Sequence, residues 1–424
     1  MENRVVITGM GVVAPNGTTV AEFEDAIKSG KSGITFHQEL EDLGFSCCIG
    51  GIPQLSESRI AEYLTPLQRR GFDSSGILYG CIAGIDAWTD AGLEVQEDGN
   101  ADFDSGLVFG AGTTSVNKFR ESIYKIDEKK VKRLGSTAVL QTMSSGVSAY
   151  LSGILGLGNQ VTTNSSACTT GTEALWMGYN RIKSGQAQRM LVGSCSDSGP
   201  YIWGGFDAMR VMAYKYNDNP EAASRPMSAS AAGFVPGSGA GALVLECLES
   251  AITRGAKIYA EVIGGAINCG GQRSGGSMTA PNPIAVQRCI RSAMADAGIK
   301  TKDIDTINGH LTATTKDNLE IENWVDALRV RGKDFPLINS LKSTVGHCLA
   351  ASGSVECVAT VLQVNGQYVF PNINCEDVNL AISDTIDTSC IPSKLIKKEV
   401  KIAVKASFGF GDVNGCVIFK KFKD

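Results

Sequence analysis

One thiol, two imidazoles and one ammonium are placed along this chain where they could carry out acyl transfer. Cys168 lies in Asn164-Ser165-Ser166-Ala167-Cys168-Thr169-Thr170-Gly171-Thr172. Upstream, Val161-Thr162-Thr163 is β-branched and reads as the end of a strand. Downstream, Ala174, Leu175, Met177 and Ile182 recur at helical spacing, Arg181 and Lys183 suit a last turn, and Gly185 is a natural stop. A thiol at this junction is expected to face unpaired backbone N–H groups and the positive end of a helix dipole, and both favour thiolate. The alternative is a buried structural cysteine, which most of the 13 cysteines must be.

Only three histidines occur, His37, His310 and His347, so the setting of each is informative. His310 follows a short apolar stretch, Ile304-Asp305-Thr306-Ile307, and precedes a helix with an acidic first turn at Asp317. His347 closes Lys342-Ser343-Thr344-Val345-Gly346-His347 and precedes a helical stretch rich in small residues. Each is predicted to sit on a loop after a strand, the edge where α/β layers bind ligands. A thiolate attacks a carbonyl carbon, and imidazole N–H groups stabilise the oxyanion or enolate that forms. Two neutral imidazoles of fixed tautomer, aimed at one thioester oxygen, would stabilise the enolate left by loss of carbon dioxide. Lys342 is expected to pair with an acid such as Glu320 and to order the site electrostatically. For either histidine alone, a satisfied structural role is the alternative.

The elements that must hold these groups alternate between strand and helix. Strands are predicted over 5–8, 107–109, 189–194, 242–246 and 402–406, with helices over 20–29, 75–91, 169–184, 283–297 and 317–329. That alternation argues for an α/β layered protein. A faint composition boundary near 248–255 divides it into 1–252, carrying the cysteine, and 253–424, carrying both histidines. No clear internal repeat is visible. Gly110-Ala111-Gly112 and 237–241 are glycine-rich without completing a dinucleotide fingerprint, so they read as tight turns and close packing. The chain has 424 residues, 43% hydrophobic and 20% charged, with a net charge of −5, which gives no global attraction to nucleic acid. No membrane span and no signal peptide are expected. The odd cysteine count without CxxC pairs argues against a disulfide framework or zinc site, and a reducing cytoplasm fits.

With these motifs in place, the chain resembles the β-ketoacyl-acyl-carrier-protein synthases of the elongating Cys-His-His type, in the thiolase superfamily. The likeness runs through nearly the whole sequence. Val5-Val6-Ile7-Thr8-Gly9-Met10-Gly11 is similar to the family's opening strand and turn, and 217–226 resembles a family segment ahead of Gly233-Phe234-Val235. Lys342 to His347 resembles the specific KSxxGH motif, and Phe408-Gly409-Phe410-Gly411 the FGFGG turn. The resemblance implies a five-layered αβαβα fold of two related halves, commonly dimeric. It implies that Cys168 carries the acyl chain and that His310 and His347 bind the malonyl thioester and support decarboxylation. Lys342, paired with Glu320, would order His310. Phe410 would be a gate, its N–H and that of Cys168 an oxyanion hole, and Phe408 would bind substrate. Thr312 and Thr314 would touch phosphopantetheine. An acidic acyl carrier protein is the implied partner, with Arg69, Arg70, Lys129 and Lys130 as candidate docking charges against a plain solvated surface. No metal and no dissociable cofactor is implied, because the substrate supplies the carbanion.

Departures from the family pattern point to a specialised role. Leu311 stands where the family has glycine, so the backbone beside His310 is expected to differ. Asp412 replaces the second glycine after the gate, and Ala231-Ala232-Gly233 lacks the usual Arg-Asp. Such changes suit polyketide, polyene or pigment synthesis. A non-catalytic partner subunit of a ketosynthase heterodimer is the main alternative, although such relatives usually lack the cysteine. A thiolase would need a second cysteine, and the setting of Cys416 does not resemble one.

Overall fold

A computed structural model describes residues 2–69, 72–96 and 99–423. Ten strands form its main sheet: β1 (Val5–Val13), β2 (Ser105–Ala111), β3 (Val161–Thr162), β4 (Arg189–Ser196), β5 (Gly239–Cys247), β6 (Ala260–Cys269), β7 (Thr306–Asn308), β8 (Leu337–Asn339), β9 (Ile402–Gly409) and β10 (Val413–Lys420). The helices that matter for the site are α1 (Ser75–Asp90), α2 (Val116–Asp127), α3 (Thr170–Lys183), α4 (Pro283–Asp296), α5 (Asp317–Leu328) and α6 (Ser352–Gly366). The elements predicted from periodicity are present: the helices match to within a residue at each end, and the strands run further, since backbone pairing extends them beyond their apolar run.

The strands lie in the order β8-β7-β9-β10-β6-β1-β5-β4-β2-β3. Reading outward from the central β1–β6 seam, each half runs first, fifth, fourth, second, third strand in its own chain order. The pairing senses also match: antiparallel for β1–β5 and β5–β4, then parallel for β4–β2 and β2–β3. In the other half β6–β10 and β10–β9 are antiparallel, and β9–β7 and β7–β8 parallel. The repeat that no sequence identity betrays is therefore a repeat of topology.

Helices cover both halves. α1 packs on β1, β5 and β4 from outside, and α4 packs on β6, β10 and α5 from the other side. Between them, α3 and α6 touch strands of both halves and each other. The result is the five-layered αβαβα thiolase-like fold of two related halves. α6 is buried from Ser352 to Val364, as an internal helix must be, and accordingly lacks a polar face. It can lie so close to α3 because both helices use glycine where they cross. A Cβ on Gly353 would come 2.5 Å from the Thr172 nitrogen, and one on Gly171 2.2 Å from the Ser354 nitrogen. This crossing sets the N-terminal end of α3, with Cys168, beside that of α6, with His347.

Candidate active site

Cys168 lies in a 3-10 turn, Ala167–Thr169, that leads from the strand-end loop into α3. Ala167 adopts φ 50°, a left-handed conformation that costs a non-glycine residue about 1–2 kcal/mol. Strain of this kind is retained where the surrounding structure over-determines it. The turn at 408–411 presses on this loop from the other half: a Cβ on Gly409 would sit 2.9 Å from Thr169 Oγ1 and 3.1 Å from the Cys168 nitrogen. Thr169 Oγ1 donates to the Val413 carbonyl at 3.0 Å, tying the nucleophile turn to β10.

The cysteine sulfur and one ring nitrogen each of His310 and His347 lie within 4.8 Å of one another. His310 follows β7 and His347 follows β8, so the two loops that carry them leave neighbouring parallel strands at their carboxyl ends. The rings meet edge to face, with centroids 5.4 Å apart. Both imidazoles are held well below their ordinary pKa by burial first and then by the Lys342 and Lys405 charges, so both are neutral in the fold. His347 Nδ1 accepts the Leu349 N–H at 3.0 Å and lies 2.9 Å from Ser352 Oγ. The backbone donor fixes the tautomer: the His347 proton is on Nε2. His310 Nδ1 faces the Lys342 ammonium at 3.5 Å, which sets its proton on Nε2 as well. Two N–H donors therefore converge beside the thiol.

The sequence expectation of a thiolate favoured by the helix end is reversed. Desolvation raises the Cys168 pKa above the ordinary cysteine value. The Lys342 charge and the backbone N–H groups of Phe410 and of Cys168 itself act in the opposite sense and are outweighed. A helix terminus in a dry site offers less to an anion than water does.

The expected pairing of Lys342 with Glu320 is also corrected. Glu320 holds the His310 loop by its backbone: its two oxygens accept the His310 and Leu311 N–H groups, each at 2.7 Å, and Trp324 Nε1 donates at 3.3 Å. Burial raises its pKa to about 7. Asp317 does the same for the next residues, accepting from Thr312 at 2.9 Å and Ala313 at 3.1 Å. The partner of Lys342 is Glu356 on α6, and the same carboxylate meets Lys405 of β9 at 2.8 Å. Sequence reading missed Glu356, Lys405 and Ser352, and took Asp317 only as the acidic first turn of a helix. The available signal was an acid inside an apolar helix and a lysine inside an apolar strand. Leu311 is fully buried and not left-handed, and the left-handed residue of this loop is Ala313, at φ 62°.

Two cavities meet at the thiol. One, of about 230 Å³, is lined by Cys168, His310, His347, Thr312, Thr314, Phe408 and Phe410 among others. The second, of about 430 Å³, is lined by Gly112, Thr113, Ser165, Ala167 and Ser196. They share Cys168, Phe206, Leu349 and Phe410, so Phe410 stands at their junction. Thr312 and Thr314 lie in the first cavity with hydroxyl oxygens 3.1 Å apart. Arg69, Lys129 and Lys130 do not line either cavity. Arg69 reaches Glu57 at 3.4 Å and Lys130 pairs with Glu128 at 2.6 Å, while Arg70 lies outside the described residues. Cys416 is buried in the core of the second half, among Ile418, Val404 and Ala406.

Known proteins decide what this arrangement is. The family described as Beta-ketoacyl synthase, N-terminal domain, matches residues 2–251, and its C-terminal domain partner matches residues 259–376. The chain belongs to the β-ketoacyl synthase family. It is a condensing enzyme of the acyltransferase class, of the fatty acid or polyketide kind. A 3-oxoacyl-acyl-carrier-protein synthase 2 of Vibrio harveyi is 34% identical to this synthase, over 100% of both chains. The chloroplastic 3-oxoacyl-acyl-carrier-protein synthase I of Arabidopsis thaliana is 33% identical, over 100% of this synthase and 87% of the relative. Among solved structures, AntDE:AntF is described as a type II polyketide synthase acyl carrier protein with its ketosynthase bound to the hexaketide. It matches at TM-score 0.86 and 28% identity, over 100% of both chains. A β-ketoacyl synthase of Burkholderia phymatum STM815 matches at TM-score 0.88 and 27% identity, over 99% of this synthase and 100% of that chain.

Proposed function

We propose that this synthase joins a malonyl unit to an acyl chain held on Cys168, both delivered on an acyl carrier protein. The observation that carries the reading is the convergence of one thiol and one ring nitrogen from each of two neutral imidazoles within 4.8 Å, at the junction of two cavities. In the first half-reaction the Cys168 sulfur attacks the acyl thioester carbon. The N–H groups of Cys168 and Phe410 receive the oxyanion, and the carrier thiol leaves with the cysteine proton. The malonyl thioester then enters the first cavity with its carbonyl oxygen between His310 and His347, and its pantetheine arm passes Thr312 and Thr314. Loss of carbon dioxide leaves the electron pair as an enolate that both imidazoles stabilise. The enolate carbon attacks the Cys168 thioester, the cysteine sulfur leaves and takes up a proton, and a 3-oxoacyl carrier departs. The chemistry calls for no added cofactor. Residues 1–252 supply the nucleophile, and residues 253–424 the histidines and the gate; the division falls within the helix Leu248–Thr253.

Docking of an acidic carrier is assigned to Arg69, Arg70, Lys129 and Lys130. Exposed Arg210 joins them, since its neighbour Val211 lines the first cavity. A dimer, with an identical or a related subunit, is supported by the surface around α2. Phe119, Ile123, Tyr124 and Ile126 are exposed there, next to exposed Val139 and Leu140, and Val161 lies on the free edge strand β3. The described residues contain no helix long and apolar enough to cross a membrane. The 13 free cysteines suit a reducing compartment such as the cytoplasm.

Intact-protein mass after incubation with saturated and polyunsaturated acyl carriers, then malonyl carrier, tests the reaction. An acyl increment absent in Cys168→Ala and discharged as a 3-oxoacyl product is expected. A preference for polyunsaturated chains supports the specialised role, and a clear saturated preference sinks it. No acylation by any carrier, in folded protein, would point to a non-catalytic partner subunit.

A further inference from the structure

Lys405 occupies a position that β-strand alternation reserves for the interior. On β9, Ile402, Val404, Ala406 and Phe408 face the outer core of the second half, so Ala403, Lys405 and Ser407 face the central layer and α6. A lysine here cannot reach water by extending its stem: its side chain is 0% exposed, against 1% for both Lys342 and Glu356. Its surroundings fit an ammonium with three donors. Glu356 Oε2 lies 2.8 Å away as an ion-pair partner without hydrogen-bond geometry, while Ser407 Oγ, at 3.1 Å, and the Ala406 carbonyl accept N–H groups.

Glu356 is thus shared, one oxygen to each lysine, with Lys342 on Oε1 and Lys405 on Oε2. A lone Lys342–Glu356 pair would be neutral overall, and its field at the reacting centre would largely cancel. The triad of two lysines and one glutamate carries a net positive charge. It lies behind His310, whose Nδ1 is 3.5 Å from the Lys342 ammonium. The reaction brings a carboxylate into this site and then builds an enolate there, and a buried uncompensated cation favours both.

We propose that Lys405 is a charge-balancing positioning residue for the decarboxylation step. By occupying the second oxygen of Glu356, it leaves the Lys342 charge free to act through His310 on the malonyl thioester. The inference rests on the condensing reaction proposed above and adds a residue outside the Cys-His-His-Lys set. The histidines respond in the expected sense, since Lys342 and Lys405 each lower both imidazoles. Lys405 also belongs to a strut. Ser407 Oγ lies 2.9 Å from Thr172 Oγ1, in the first turn of α3 after Cys168. A purely mechanical role is therefore the reading that the experiment must separate.

The test measures carbon dioxide release from malonyl carrier as a function of pH for the wild type, Lys405→Met, Lys405→Arg and the double variant Lys405→Met/Glu356→Gln. His310 faces Lys342, Lys405, His347 and Cys168, with Glu320 on its backbone and Glu356 behind Lys342; His347 faces the same two lysines, His310, Cys168 and Ser352. In Lys405→Met, removing a cation eases protonation of both imidazoles. The acid limb should move to higher pH, and the plateau rate should fall roughly tenfold, the scale of one unit charge acting across several ångströms of protein interior. Acylation of Cys168, read by mass, reports that the variant is folded. Lys405→Arg keeps the charge and should keep the limb. The double variant restores a net positive charge through Lys342 alone and should return the limb toward the wild type. An unmoved limb in Lys405→Met, or equal losses in all three variants with a lowered Tm, would reduce Lys405 to a strut. A wild-type protein that acylates but releases no carbon dioxide would overturn the condensing reading itself, and this role with it.

Discussion

Cys168 is a half-buried thiol at the start of a helix, with its acidity lowered by desolvation. Desolvation raises its pKa, and the Lys342 charge is the largest influence against that rise. The sign of the consequence follows. Alkylation of Cys168 by iodoacetamide should climb with pH through a midpoint above that of an ordinary cysteine. In Lys342→Met the midpoint should move further up, and the rate at neutral pH should fall, because the charge that favoured thiolate is gone. Mass-detected alkylation across a pH series checks this, and coincident curves for the two proteins would remove Lys342 from the account of the thiol. The neighbouring carboxylates are no substitute for that lysine: Glu320 and Asp317 spend their oxygens on the backbone of residues 310–313.

Between elements, the site depends on how closely two helices cross. Gly171 and Gly353 let α3 and α6 touch backbone to backbone, which brings the Cys168 turn beside the His347 loop. Gly353→Ala forces a methyl group to 2.5 Å from a backbone nitrogen that has no freedom to move. Overpacking of this kind costs about 1–3 kcal/mol, and the helices should separate by a few tenths of an ångström. A lowered Tm is expected, with decarboxylation falling by more than the folded fraction, since misplacement of catalytic groups is felt steeply. An unchanged Tm would show that the crossing has slack. The turn at 408–412 has its own fastening. Asp412, left-handed at φ 66° and buried, accepts backbone N–H groups from Gln272 at 3.0 Å and Asn282 at 2.8 Å. The residue that departs from the family glycine therefore ties the turn beside Phe410 to the segment 270–282. Gly270 and Gly276 make room for it, since a Cβ on either would fall within 2.5 Å of Asp412 Oδ2.

For the whole molecule, the exposed apolar side chains of α2 are the feature a solitary chain would not keep. Phe119, Ile123, Tyr124 and Ile126 are each about half exposed, and the patch reaches the edge strand β3 through the helix Ala138–Thr142 and its neighbour. Burial of this face against a second subunit predicts a dimer in solution. Phe119→Asp with Tyr124→Asp places two charges there and should shift the sedimentation behaviour toward monomer. A wild type that sediments as a monomer at micromolar concentration would dismiss the interface. The second cavity begins at Gly112 and Thr113, a few residues before α2, so dimer loss should also disturb that cavity.

The sequence by itself determined the local chemistry. The β-branched stretch before Cys168, the helical spacing after it and the Gly185 stop were legible because each rests on neighbours within a few residues. So were the two motifs that carry His310 and Lys342 with His347, and the alternation that announces an α/β layered protein. The family pattern carried the five layers and two halves. What only the tertiary structure decided is everything that depends on distance across the chain. Glu356 replaced Glu320 as the partner of Lys342 because α6 crosses behind the site, while Glu320 turns its oxygens to the backbone of its own loop. Burial overrode the helix end in setting the thiol, since desolvation is a property of the packed interior. The internal repeat was invisible because topology constrains strand order and pairing sense while leaving side chains free to diverge. Lys405 read as one more lysine in a strand until folding placed a carboxylate at 2.8 Å and left no path to water.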